Sequence, residues 1–333
     1  MQDNTKRFQD EAFDDYFVRL FEHKAEYGLN CEQIAGLLNA ESPTGIQYGE
    51  SKWRKAYKDF SRGRLYERNL IERGVRTRVL CISDLHVPFQ KPIETFADYA
   101  GGRIDVLVLN GDICDFGAIS KFPKVYRSSP LAEMVMARQY MIDLIEYIHP
   151  KRVIITYGNH DARFQQYLAK SLDSDLVQLM PKTELDLICN NGFHHYNAEW
   201  RTNVWYEPLT DVFADEGISI EYQNNWYAQI GKVLFCHPLT FKGTPMKTSQ
   251  DAVTFFRNEG MVFDALVMGH THRTGNYVIG NTIMYEEGAC CDTSKMRYAD
   301  GKLTLGQREG FLYLCLDGDG SVMREQSKIV YLN

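Results

Sequence analysis

Apolar positions recur at helical spacing up to about residue 73 and then change to short uninterrupted runs. Phe13, Phe17, Leu20 and Phe21 mark a first helix, with Gly28 ending that run. Asn30 offers an N-cap to CEQIAGLLN, and Gln33 stands at the capping-box position three residues on. ESPTGIQYG reads as a turn, followed by a third helix near SKWRKAYKDF and a fourth near RLYERNLIERG. From Arg78 the pattern predicts strands over 78–83, 105–110 and 152–157, alternating with helices near 91–100 and 130–148. That order implies parallel strands joined by crossover helices. Residues 162–187 read as helical, and 188–218 give no clear pattern. After about 219 short strands dominate (YAQIGKVLFC, ALVMG, YVIGNTIMYEEG, FLYLCLDG, SVMREQSKIVYL), interrupted by a helix near 249–259. The expected division is a helical domain over 1–75 and an α/β domain over 76–333, with Gly74 as the hinge.

Composition adds little, but charge adds a contrast. The 333 residues carry a net charge of −7. Residues 50–78 hold ten Lys/Arg against four Asp/Glu, whereas 1–49 hold four against nine. A basic stretch on an otherwise acidic protein points to a local contact with a polyanion. Lys52, Arg54, Lys55 and Lys58 are the candidate contacts. No apolar run approaches the roughly 18 residues of a membrane helix. The polar, acidic N-terminus does not read as a signal peptide, and the expectation is a cytoplasmic protein without membrane contact. The eight cysteines show no C-x-x-C pair. Cys290 and Cys291 read as adjacent buried thiols.

Candidate chemistry sits where the apolar runs end. The first run stops at Ser83-Asp84-Leu85-His86, and residues i and i+2 of an extended chain share a side. DVLVLN leads into Gly111-Asp112-Ile113-Cys114-Asp115, and RVIITY into Gly158-Asn159-His160-Asp161. KVLFC leads into His237, and ALVM into Gly269-His270-Thr271-His272. In open α/β sheets ligand groups gather beyond the carboxyl ends of strands. Mixed carboxylates, imidazoles and an amide suit two divalent metals sharing a bridging carboxylate, and no cysteine cluster supports structural zinc. Glycines before Asp112, Asn159 and His270 are expected to make the sharp turns.

SDLH, GDICD, GNHD, the isolated His237 and GHTH resemble, motif by motif and in order, the calcineurin-like metallophosphoesterases. The resemblance covers roughly residues 77–330. It implies an α/β fold, a four-layer αββα sandwich of two mixed sheets. By position it gives Asp84, His86, Asp112 and His272 to one metal, with Asp112 bridging to a second held by Asn159, His237 and His270. His160 would serve the leaving oxygen, oriented by Asp115, and Asn159 could also touch phosphate. The implied cofactor is a pair of divalent ions, manganese first, with iron, zinc and nickel as alternatives.

Departures narrow the branch. Ser83 stands where protein phosphatases carry glycine, Val87 follows His86, and Phe116 replaces their phosphate-binding arginine. Asp115 stands where purple acid phosphatases place tyrosine, and Pro238 follows His237 where glycine is common. SDLH with GNHD resembles phosphodiesterases and nucleases, and the whole arrangement is similar to phage and prophage phosphoesterases. Arg163 and Arg273 are candidate phosphate clamps. His194 and His195 could line the cleft. Trp200, Trp205, Tyr206 and Trp226 could stack bases, with core packing the preferred use. The N-terminal appendage resembles a helix-turn-helix module. The expected function is a dinuclear-metal phosphodiesterase acting on DNA through a metal-bound hydroxide, with DNA as partner. A small-molecule or cyclic-nucleotide phosphodiesterase and an idle DNA-binding scaffold are the alternatives.

Overall fold

The structure, a computed structural model, describes residues 4–71, 74–121, 128–197, 201–296 and 306–332, with the backbone alone over 65–71. Trp200, Glu72 and Arg73 lie outside the described residues. The chain divides into two compact units, Met1–Arg73 and Gly74–Asn333.

The first unit holds three helices, α1 (Phe13–Glu22), α2 (Cys31–Glu41) and α3 (Glu50–Ile71). Tyr16, Phe17, Leu20, Ile34 and Leu38 form its core, with Trp53 and Tyr57 of α3 packed against them. The capping box forms: the Gln33 amide donates to Asn30 Oδ1 and the Asn30 amide to Gln33 Oε1, each at 2.8 Å. Asn39 pins the connection before α3, its Oδ1 accepting from the Tyr48 amide and from Trp53 Nε1–H, each at 3.0 Å. The two helices expected over 51–74 are instead one continuous helix. Gly63 is the one helix-weakening residue there, and a single interior glycine costs just about 1 kcal/mol. Proline, which would end the helix, is absent from this stretch.

The second unit stacks two sheets. The first has the order β13-β12-β1-β2-β3-β6, with β1 (Thr77–Ile82), β2 (Val106–Asn110), β3 (Arg152–Thr156) and β6 (Ser219–Tyr222) parallel. Antiparallel β12 (Glu309–Leu316) and β13 (Lys328–Leu332) complete it. The second has the order β10-β11-β9-β8-β7, with β8 (Val233–Cys236), β9 (Ala265–Met268) and β11 (Thr282–Glu287) parallel. Its outer strands β7 (Tyr227–Ile230) and β10 (Thr274–Ile279) run antiparallel to their neighbours. Alternation along β1 shows the layering. Val79 and Cys81 join Phe235, Val267 and Tyr285 between the sheets, while Leu80 and Ile82 pack on the side of helix α4 (Pro130–Ile148) with Met141 and Ile145. The far face of the second sheet packs Leu234, Leu266 and Met284 against Ala252, Val253 and Phe256 of the helix Lys247–Asn258. Each fully buried aliphatic side chain of this kind contributes roughly 1.5–3 kcal/mol. The result is the four-layer sandwich of mixed sheets.

Two stretches differ from expectation. Residues 162–187 break into short helices, Arg163–Leu168, Ser174–Val177 and Glu184–Asp186. Asp173 caps the second through the Asp175 amide at 3.0 Å, and Pro181 bars continuation. The unassigned stretch contains a hairpin, β4 (Phe193–Asn197) with β5 (Thr202–Tyr206).

Candidate metal centre

The parallel strands deliver their C-terminal ends to one edge. Ile82 pairs in register with Leu109, and Leu109 with Ile155. Cys236 likewise pairs with Met268 in the second sheet. The next residues of each chain segment are the ones the motifs singled out. Asp84, His86, Asp112, His160, His237 and His272 are all buried.

The turns are made differently from expectation. Of the three glycines, only Gly111 has a positive φ (+81°). The ligand residues themselves take the left-handed conformation: Asp84 (55°), His86 (46°), Asp112 (52°), His270 (74°) and His272 (49°). Such a conformation costs a side-chain-bearing residue roughly 1–2 kcal/mol. Gly158 and Gly269 are required for close approach instead. A Cβ on Gly158 would stand 2.2 Å from Asp112 Oδ1, and one on Gly269 2.8 Å from His237 Nδ1.

Two groups of donor atoms share this edge, Asp84–His86–His272 and Asp112–His237–His270, and a third, His86–Asp112–His160, overlaps both, with all donor atoms of a group within 4.8 Å of one another. In the first, His272 Nε2 lies 3.0 Å from Asp84 Oδ1 and 3.1 Å from His86 Nε2. Asp112 Oδ2 stands between the groups, 3.8 Å from His86 Nε2 and 3.3 Å from His237 Nε2. That is the position a bridging carboxylate needs. Two of the rings are aimed by their other nitrogen: His237 Nδ1 lies 2.7 Å from the Asn110 carbonyl, and His272 Nδ1 2.7 Å from Gln307 Oε1. His237 Nε2, His270 Nε2 and Asn159 Oδ1 are buried without a hydrogen-bond partner. Buried polar atoms are rarely left so, and unpartnered lone pairs on neighbouring motif residues fit a bound cation. The donor set therefore fits two divalent metals.

The electrostatics agree. Burial opposes ionisation of Asp84 and Asp112, yet neighbouring imidazoles, His272 and His237 at the first and His237 and His160 at the second, hold both carboxyls well below the usual range. Burial also opposes charge on His86, but Asp115 and Asp84 push its pKa up to about 10. Asp112 and Asp84 likewise overcome burial at His237 and raise it to about 9. His270 falls to about 3 through burial and the nearby His237. Buried carboxylates here demand positive charge, and protons and metal ions compete for the same lone pairs.

His160 sits beside this centre. Its amide donates to Asp112 Oδ1 at 2.7 Å, and its Nε2 lies 3.9 Å from Asp112 Oδ2. Asp115 orients the ring mainly through its main-chain oxygen, 2.8 Å from His160 Nδ1. The Asp115 carboxylate is shared, 3.4 Å from both His160 Nδ1 and His86 Nδ1. Asp115 thus contacts the His160 ring through its carbonyl and its carboxylate together. Arg163 bonds the same carbonyl through Nη1 at 2.8 Å and reaches His160 Nε2 with Nη2 at 2.8 Å.

The centre opens into a cleft of about 440 Å³ lined by Arg163 but not by Arg273. Arg273 instead donates to the Gly243 carbonyl at 2.6 Å and lies over the Phe241 ring. In the β4–β5 hairpin the His194 ring packs tilted against Trp205 and Tyr206 stacks on Phe193, while Trp226 stacks on Phe256. His194, Trp205, Tyr206 and Trp226 do not line the cleft, and neither does His195. Phe116 is buried, its amide donating to Glu133 Oε2 at 2.6 Å. On α3 the cations are outward: Lys52 lies over the Tyr48 ring, Arg54 pairs with Glu50 at 3.3 Å, and Lys55 and Lys58 are exposed.

One residue of the GNHD motif has a role that the sequence reading misses. The buried Asp161 carboxylate accepts the amides of Gly158 (2.7 Å), Asp112 (2.8 Å), Ile113 (3.0 Å) and Cys114 (3.3 Å), tying two ligand loops together. Its position inside the motif is the available signal.

The calcineurin-like phosphoesterase family profile matches residues 77–274. This chain belongs to the calcineurin-like phosphoesterase family. A phosphoesterase of this family is a metal-dependent phosphoric ester hydrolase, consistent with the donor set above. Residues 1–70 match the YonJ N-terminal domain. The SPbeta prophage-derived uncharacterized protein YonJ of Bacillus subtilis (strain 168) is 41% identical over 64 residues, 19% of this chain and 15% of that protein. The phosphoesterase chain is also similar to solved structures. One is a single mutant of Vps29 from Entamoeba histolytica (16% identity, 77% of this chain, 99% of that one, TM-score 0.35). Another is an archaeal phosphodiesterase (15% identity, 77% of this chain, 99% of that one, TM-score 0.35). Among the described residues no helix is long and apolar enough to cross a membrane.

Proposed function

We propose that this phosphoesterase is a dinuclear phosphodiesterase whose substrate is DNA, using two divalent cations with manganese the first choice. The observation that carries the two-metal reading is the pair of buried, unpartnered atoms His237 Nε2 and His270 Nε2 beside Asp112, with buried, unpartnered Asn159 Oδ1 on a residue lining the same cleft. Asp84, His86, Asp112 and His272 would hold one cation, and Asp112, Asn159, His237 and His270 the other. Bound there, the pair supplies Lewis-acid activation of water and of a phosphoryl oxygen. Asn110 and Gln307 keep His237 and His272 in the tautomer that leaves Nε2 toward the centre. His160 Nε2 accepts from Arg163 Nη2–H at the cleft, and once protonated and released from that contact it would pass a proton to the leaving oxygen. Arg163 contacts that same nitrogen and is placed to take a phosphate oxygen in its fork.

Preference for diesters is supported by Phe116, which is buried where an additional phosphate-binding arginine would otherwise serve a dianionic monoester. Choice of DNA is supported by the outward cations of α3. The complete donor set speaks against an idle scaffold.

Hydrolysis of bis(p-nitrophenyl) phosphate, p-nitrophenyl phosphate, cyclic nucleotides and circular DNA, each with Mn²⁺ and after chelation, tests this. The diester should exceed the monoester in kcat/KM, DNA should be cut, and chelation should abolish both. Chelator-insensitive turnover, or a monoester preference, would overturn the assignment.

A further inference from the structure

The cleft is asymmetric in a way the metal centre does not explain. Arg163, Gln166, Tyr167 and Lys170 all line it, and their spacing is i, i+3, i+4 and i+7. The chain stays helical through this stretch. Arg163–Leu168 is a helix, Ala169 keeps helical dihedrals, and the Lys170 amide bonds the Tyr167 carbonyl at 3.1 Å. Residues at that spacing share one face, so a single face looks along the cleft. Its inner end is fixed by Arg163 against His160. At 1.5 Å per residue Lys170 lies about 10 Å further along the axis, beyond the reach of the phosphate at the centre. Between the cations stands Tyr167, 46% exposed. The lining also includes Leu239, 49% exposed, and the Phe241 ring, 5.9 Å from that of His270.

Resting on the nuclease reading above, we propose that this helical face is a track for a single strand, so that the substrate is a single-stranded polynucleotide. The order cation, aromatic, cation matches the repeat phosphate, base, phosphate. Aromatic side chains bind bases by stacking only when the bases are unpaired and splayed. A duplex would keep its base faces from Tyr167 and Phe241. A cyclic nucleotide has one phosphate and would leave Lys170 without an anion. Residues 79–333 are net acidic, so cations along one cleft wall have a local effect that the body of the unit does not supply.

The test uses the full chain with Mn²⁺ and compares oligo-dT of increasing length, oligo-U, a blunt duplex, a cyclic nucleotide and bis(p-nitrophenyl) phosphate. In the wild type, kcat/KM should rise with oligonucleotide length and exceed that for the duplex. In Tyr167→Ala and in Lys170→Glu, the ratio of kcat/KM on a long oligonucleotide to that on the small diester should fall about tenfold, mainly through KM. Tyr167→Phe and Lys170→Arg should restore it. The oligo-dT and oligo-U arms distinguish DNA from RNA, and a preference for either over duplex supports the track. Equal turnover of duplex and single strand overturns the inference while the nuclease reading stands. So does an unchanged ratio in both variants, or a parallel loss on all substrates. Hydrolysis of the small diester with no cleavage of any polynucleotide overturns both.

Discussion

Arg163 places its guanidinium against His160, Nη2 to Nε2, at 2.8 Å, while both side chains hold the Asp115 carbonyl. A guanidinium only donates, so His160 Nε2 accepts here, and the imidazole and the guanidinium are one hydrogen-bonded unit. Arg163→Ala should lower kcat/KM for bis(p-nitrophenyl) phosphate by about tenfold or more. Arg163→Lys should rescue little, because an ammonium cannot serve carbonyl, imidazole and phosphate from one plane. Metal content, measured by atomic absorption, should not change in either variant.

Asp112 and His160 touch each other, yet their removal should have different effects. Asp112→Asn weakens the bridge between the two donor groups and should cost metal occupancy together with turnover. His160→Asn should retain both metals and slow kcat by about a hundredfold. Metal stoichiometry beside single-turnover rates separates the two. Equal metal loss in both would place His160 among the ligands.

Glu133 gives a pH signature. Burial raises its pKa, and the nearby Asp115 adds to this against the Phe116 amide, leaving it at about 8 from an ordinary 4.5. The folded state therefore holds a proton that the unfolded state has released over that interval. Stability from this group is fully present below about pH 4.5 and declines as pH rises to about 8. Glu133→Gln keeps an oxygen for the Phe116 amide and cannot ionise. Its melting temperature relative to wild type should be higher at pH 9 than at pH 5. A difference independent of pH would show that Glu133 is ionised in the folded protein.

The cations of α3 predict a salt dependence. Replacing Lys52, Lys55 and Lys58 by Glu should weaken DNA binding. The slope of log affinity against log salt should become shallower, for each phosphate left without its cation, by about 0.9 on duplex DNA and about 0.7 on a single strand. All three lysines are exposed, so helicity by circular dichroism should be retained. Unchanged DNA affinity would leave α3 with a structural role alone.

Much of the centre was legible because metal-ligating residues followed each apolar run in a fixed order. The apolar run of β1 and the capping box at Asn30 were equally plain, since both rest on neighbours close in sequence. What escaped depends on neighbours distant in sequence. The need for glycine at 158 comes from Asp112 and His237, and Asp161 draws its importance from amides nearly fifty residues away. The β4–β5 hairpin escaped because its exposed face mixes His, Tyr and Trp, which blurs the two-residue period. The continuity of α3 was hidden by a glycine whose penalty the rest of the helix outweighs.

The left-handed backbone at Asp84, His86, Asp112, His270 and His272 gives this protein a direction of decay. Glycine or asparagine relieves the conformation at each of these places, so exchanging a ligand should make the metal-free fold more durable as it silences the chemistry. A lineage released from the need to hydrolyse its substrate would gain robustness with the first losses.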